Sequence, residues 1–362
     1  MAINGVTKMK NMYTENNSKS EKEYRAIVMD SSSSLKDFSI DRKLYFRRYL
    51  MSEIVEDKFN QSLLMGQLVD CLLLTPNDFD TRFYMSACIS APTGNMLKFV
   101  EALYDRTKEA TNNDGEVTRS FEDISRSAYI DAGYKIPFDR VINSFVGSDN
   151  EIYYNEIRKV RGNDMSVVTT QDVSNADRII EELKTNPITK DIVNMVNSVR
   201  YTVKNQIQIE AYKVGGHLFK SMMDKMIVDH QEKTIQVYDL KCVWAVENFY
   251  EEYYLYRRAY IQAYLYYRAA LSLTVDPEGD LYGYNVLPPK FIVCDSTNYY
   301  SPLIYTLTEY DLADALLGFT FKGRDYPGVS DIIEDLLWAL KNNVWNISRQ
   351  NYLTNGLVKL TS

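Results

Sequence analysis

Apolar positions along the chain keep one period, change to another and change back, and each change marks a different kind of element. Ser31 to Ser34 precede Leu35, Phe38, Leu44, Tyr45 and Tyr49, a serine-capped start followed by helical spacing. Residues 62–74 form a second apolar run that contains Gly66 and Asp70, and Pro76, Asn77 and Asp78 mark its exit. From about 92 to 163 the pattern predicts helical segments around polar connections, the clearest being Asn112-Asn113-Asp114-Gly115, with no strand alternation. A capped helix is expected over 173–183, stopped by Asn186-Pro187, and another apolar-periodic stretch runs on to 197.

Alternation then takes over. Residues 206–212 alternate, Gly215-Gly216 supplies a turn, 218–227 continue as strand, 229–232 turn again and 234–241 form a third strand. Three antiparallel strands follow. A long aromatic helix is predicted over 247–273, ending before Asp276-Pro277, with further strands at 291–295 and 303–307 and a packed helix at 332–340. No internal repeat is visible. Strands bracketed by helices indicate an α/β fold.

The length of 362 residues suits one enlarged domain as well as two. The expected division is a flexible tail over 1–25, rich in Asn, Lys, Ser and Glu, then a single domain over 26–362 with a helical elaboration at about 92–163. Hydrophobic content of 45% and charged content of 25% are ordinary globular values, and no apolar run is long enough to cross a bilayer. No membrane partner is therefore expected. Cys71, Cys88, Cys242 and Cys294 are scattered singly with no C-x-x-C spacing, which suggests reduced buried thiols and a cytoplasmic location.

The net charge of -8 counts against a surface that coats nucleic acid as a whole, so any contact with phosphates must be local. Basic clusters stand at Arg42, Lys43, Arg47 and Arg48, at Arg158, Lys159 and Arg161, and at Arg257 and Arg258. Most clusters of this kind are solvated faces.

Chemistry concentrates around the third strand. Side chains repeat every two residues in a strand, so Asp239 and Lys241 project from one face. Asp224, on the neighbouring strand, can bring a second carboxylate within metal-bridging reach, giving the hard oxygen ligands that Mg2+ prefers. Phosphodiester hydrolysis needs a polarised phosphoryl oxygen, an activated water and a stabilised leaving alkoxide, which such a set can assist, with Lys241 orienting the water. A surface salt bridge at a strand end is the plainer reading of an isolated Asp-x-Lys. Asp70 interrupts Leu68-Val69 and Cys71-Leu72, where an ionised carboxylate needs a partner unless it lies on the helix's wet side. Gln262 and Tyr266, four apart on a helix, share a face that can hold a nucleic-acid strand or pack into the core. Glu210 either faces the site from the first strand or stands exposed.

Taken in order, Ser33-Ser34-Leu35, Gly66 with Asp70, Glu210, Asp224, Asp239-x-Lys241 and Gln262-x-x-x-Tyr266 resemble the PD-(D/E)XK nuclease superfamily, in its phage-type exodeoxyribonuclease VIII-like branch. The resemblance spans 31 to about 307. It implies a restriction-endonuclease-like central mixed sheet flanked by helices, with Asp224 and Asp239 as metal ligands and Lys241 at the nucleophilic water. Asp70 takes the helix position that many relatives fill with histidine, and a carboxylate there favours Mg2+ or Mn2+. Gln262, Tyr266, Ser33 and Ser34 are implied DNA contacts. The implied activity is a metal-dependent DNA exonuclease acting at duplex ends in recombination, repair or replication, beside a single-strand annealing protein and in a homo-oligomeric ring. A structure-specific endonuclease with the same site, or a silent DNA-binding or virion assembly protein on the same scaffold, are the competing readings. The cysteines that hold a cluster in some CRISPR-associated relatives are missing.

Overall fold

A computed structural model describes residues 19–53, 60–163, 165–297 and 300–358. The chain forms two compact units, one built from Met1–Asp57 with Glu182–Ser362 and the other from Lys58–Glu181. Positions 1–18 of the expected tail lie outside the described residues. The tail expected through residue 25 is a helix at its end: α1 (Glu21–Arg25) carries a capping box between Ser20 and Glu23, and Tyr24 is buried. The Lys220 ammonium holds this segment by donating to the carbonyls of Tyr24, Arg25 and Ile27 at 3.0, 2.9 and 2.7 Å. A polar composition had concealed one anchoring aromatic and a cation far away in the chain.

The first unit is organised by a mixed sheet of β1 (Tyr201–Val214), β2 (His217–Asp229), β3 (Thr234–Val243), β4 (Asn285–Val286), β5 (Lys290–Asp295) and β6 (Leu303–Thr306). Its order is β1-β2-β3-β5-β6, with β4 also pairing β3. The first three strands are antiparallel, as their alternation predicts. Gly215 and Gly216 both take positive φ, 56° and 80°, which is what a two-residue hairpin turn requires. Strands β3 and β5 are parallel, so the chain must cross over between them, and β6 returns antiparallel to β5.

The crossover is not the single long helix that residues 247–273 suggest. A 3-10 turn at Val246–Asn248 leads into a π-helical stretch at Tyr250–Tyr256, and Arg258 then adopts left-handed backbone with φ 56°. Only after that does α3 (Ala259–Ser272) begin. A left-handed residue cannot continue a right-handed helix. No Gly or Pro marks the break, because Arg258 is secured through its side chain, whose Nη1 donates to the Ser39 carbonyl at 2.7 Å.

One continuous core lies between the sheet and its helices. Met226 and Val228 of β2, Ile235 and Val237 of β3 and Val293 of β5 meet α3, which is apolar nearly all round and buries Ile261, Leu265 and Ala269. Leu35 and Phe38 of α2 (Ser32–Ile40), Leu312 of α4 (Glu309–Leu317) and Ile332 and Leu336 of α5 (Val329–Asn342) complete it. Helix α2 opens with Ser31 as N-cap, as the serine run predicts.

The second unit is mainly helical. Helices Gly94–Glu109, Phe121–Asp131, Phe138–Phe145 and Asp149–Val160 pack around Phe99, Leu103, Phe145, Tyr153 and Ile157. The elaboration expected at about 92–163 therefore lies inside a unit that runs from Lys58 to Glu181 and also contains the Gln61–Leu74 helix.

Candidate active site

The site begins with a fault in the sheet. The β2–β3 ladder closes at Lys225 opposite Tyr238, and the next residue of each strand beyond that last pair is Asp224 on β2 and Asp239 on β3. On the other side of β2 the pairs Asn205↔Lys225 and Ile207↔Met223 skip Gln206, which has φ 48°. Regular pairing of β2 thus lapses at Asp224 on both edges. The Asp224 carboxylate takes over one lost partnership, since Oδ2 accepts the Leu240 N–H at 2.8 Å. Backbone outliers of this kind, held by the surrounding structure, gather where a chain serves function rather than regularity.

Asp239 is 1% exposed, and a carboxylate that deep must be paired. Gln262 of α3 donates through Nε2 to its Oδ1 at 2.8 Å, and the Lys241 ammonium meets its Oδ2 directly. No aligned hydrogen-bond donor serves Oδ2 among the described residues, and the Lys241 ammonium is the ion-pair partner at that oxygen. Gln262 Nε2 also donates to the Tyr266 hydroxyl at 2.8 Å, which donates onward to the Met222 carbonyl at 2.6 Å. Burial first, then the charges of Asp224 and Asp239, push the Tyr266 phenol well above its ordinary pKa, so it stays a donor. Gln262 and Tyr266 do share one face, as their spacing predicts. That face is turned to the sheet, and its polar groups fix Asp239 and the middle of β2 at Met222; Tyr266 is buried.

One cation of the site is absent from the sequence reading. Lys36, half-buried on α2, lies within electrostatic reach of Lys241 and Asp239. Burial, reinforced by the Lys241 charge, pulls its ammonium down to about 8 against the opposing pull of Asp239. Its only sequence signal is a lysine one step after the serine cap and Leu35. Which face of α2 meets the strands is a long-range matter that no local pattern encodes.

The remaining expected residues are placed as follows. Ser33 is exposed on the first turn of α2. Ser34 is buried and its hydroxyl donates to Asp30 Oδ1 at 2.7 Å and caps Ser31, so it secures the helix start instead of meeting DNA. Glu210 is paired with Lys19 at 2.5 Å, a bond to the N-terminal segment rather than a contribution to the site. Asp70 belongs to the second unit, where Arg82 stands 3.8 Å away. Of the three expected carboxylates, the first unit brings together Asp224 and Asp239. Among the described residues no group of three or more His, Cys, Asp or Glu gathers as a metal-binding set. Four cations of the basic clusters are ion-paired: Arg42 with Asp335, Arg47 with Glu53, Arg48 with Asp37 and Arg161 with Glu101.

Asp224 and Asp239, on adjacent strands, are the side chains that could hold an Mg2+ or Mn2+ ion, which binds through one or two carboxylates and keeps its other positions for water and phosphate. Carboxylate oxygens are hard ligands and do not suit a soft metal.

No family model and no curated protein matches the chain. It is similar to a crystal structure from Eubacterium rectale, of a protein provisionally named an exonuclease, at 13% identity and a TM-score of 0.46, covering 96% of this chain and 97% of that one. A likeness this distant decides nothing about activity, which must be read from the side chains. None of the described helices is long and apolar enough to cross a membrane.

Proposed function

We propose that the protein is a metal-dependent DNA nuclease of restriction-endonuclease-like fold, hydrolysing phosphodiester bonds at duplex ends. The observation that supports it best is the buried Asp239, touched by the Lys241 ammonium, with the Asp224 carboxylate bonded to the N–H of the next residue, Leu240, where the β2–β3 ladder ends.

Asp224 and Asp239 are the residues to hold Mg2+ or Mn2+, which when bound polarises the phosphoryl oxygen and lowers the cost of deprotonating water. The rest falls to the chain itself. Gln262, braced by Tyr266, fixes the orientation of Asp239. Lys241 stands on the same face as Asp239, where its amine orients the attacking water. Lys36 adds a second positive charge on the helix side, offsetting the charge of the phosphate as it gains a fifth oxygen. In this reading DNA is the partner, with a single-strand annealing protein and a homo-oligomeric ring as further proposals from the resemblance in sequence.

The test uses linear and closed circular duplexes with Mg2+ or EDTA, for the wild-type protein and Asp239→Asn. Loss of linear DNA from its ends, stopped by EDTA and absent in the variant, is the expected result. Cutting of closed circles supports the endonuclease instead, undiminished cleavage by Asp239→Asn rejects the site, and an inert wild-type protein supports the silent scaffold.

A further inference from the structure

The cysteines that look solitary in the sequence include a pair in space. Cys242 of β3 and Cys294 of β5 are register partners on adjacent parallel strands. Both are free thiols, Cys294 buried and Cys242 partly exposed. Cys294 Sγ lies 3.6 Å from the carbonyl oxygen of Lys241, the residue that precedes Cys242. Neighbouring strands run about 4.8 Å apart, inside the Cα separation that a disulfide spans, and partners in register point to the same face.

We propose that Cys242 and Cys294 are an oxidant-reactive dithiol whose disulfide reversibly slows the site at Lys241. The hydrogen bond with Cys242, together with burial, pushes the Cys294 thiol well above its ordinary pKa, so Cys242 is the sulfur that meets an oxidant. With a peroxide as oxidant, the Cys242 thiolate attacks one oxygen, an S–O bond forms, the O–O bond breaks and hydroxide leaves to become water. Cys294 then attacks the Cys242 sulfur, the S–S bond forms, and the S–O bond breaks to release a second water that carries the Cys294 proton. Two thiols are oxidised and one peroxide is reduced to two waters.

Closure moves the Lys241–Cys242 peptide. The Cβ atoms of such a pair must approach by roughly an ångström, and the Sγ contact to the Lys241 carbonyl is given up. Lys241 reaches Asp239 from the other face of the same peptide, and small displacements of a reacting group are costly in rate. The link to cleavage rests on the nuclease reading; the disulfide itself does not.

Full-length protein is treated with hydrogen peroxide, blocked with a thiol reagent and mapped by non-reducing peptide mass spectrometry, and cleavage of linear DNA is followed before and after dithiothreitol. Wild type is expected to yield a Cys242–Cys294 linked peptide and a rate lowered by roughly tenfold that dithiothreitol restores. Cys242→Ser and Cys294→Ala should each keep the untreated rate and lose the response. Absence of the linked peptide, or oxidation of either thiol to sulfinic acid without it, overturns the dithiol. A linked peptide formed in a protein whose cleavage is unchanged overturns the regulation alone, and one formed in a protein that never cleaves DNA leaves the dithiol standing and sinks the nuclease reading.

Discussion

Asp239 and Lys241 hold each other in place, and their substitutions are not equivalent for that reason. The structure gives the carboxylate an ammonium and an amide as partners, so its removal strands both. Lys241→Met leaves a buried carboxylate facing a single amide, and we expect a loss of about 2–4 kcal/mol of stability by urea denaturation together with loss of cleavage. The double variant Asp239→Asn with Lys241→Met should recover most of that stability and none of the activity. Gln262→Leu removes one donor to Asp239 and should cost about 1–2 kcal/mol, lowering kcat more than it raises KM if its role is to hold the carboxylate. For Lys36→Gln the expectation is different: removing a buried cation that burial disfavours leaves stability unchanged or raised, while cleavage falls by roughly tenfold or more. Part of this geometry was legible in the sequence. A period of two is enough to put Asp239 and Lys241 on one face, and a spacing of four is enough to pair Gln262 with Tyr266. What that helix face looks at, and that Lys36 joins from another helix, depends on packing between elements far apart in the chain.

At the level of elements, the strands announce themselves because alternation, Gly215-Gly216 and the Asp229 turn all agree. The Asp229 turn carries its own test. The Arg200 guanidinium, followed by the backbone N–H groups of Glu232 and Gln231, holds the Asp229 carboxyl down at about 2. A group depressed on folding stabilises above its unfolded value, and that contribution fades as pH falls from about 4 through 2. Titration of Asp229 by NMR should show its pKa return toward the ordinary carboxylate range in Arg200→Ala, with the backbone donors keeping part of the shift. The break at Arg258 was illegible because neither Gly nor Pro stands there, and the side chain that secures it binds residue Ser39. The anchoring of α1 was hidden in the same way. Lys220→Met takes away a cation from three carbonyls, and should cost about 1–3 kcal/mol and open the segment around Tyr24 to limited proteolysis.

Across the whole molecule, the mixed α/β organisation follows from the order of helical and alternating segments. The division at Lys58 and Glu181 does not, because both fall within stretches whose local pattern runs on without a Pro- or Gly-rich linker. The net charge of -8 leaves any attraction to phosphates local, and the salt dependence of cleavage should be shallower in Lys36→Gln than in the wild type. Both lysines and both aspartates belong to the first unit, so the proposed chemistry is built within a single compact body.

Binding of Mn2+ followed by the loss of its free EPR signal tests the centre most directly, without depending on any choice of DNA substrate. The wild-type protein should take up Mn2+ at a site that Mg2+ competes for, and Asp224→Asn and Asp239→Asn should each weaken that uptake by roughly tenfold or more. Equal Mn2+ uptake by the wild type and both variants would contradict the assignment of these two carboxylates to a metal-dependent nuclease site.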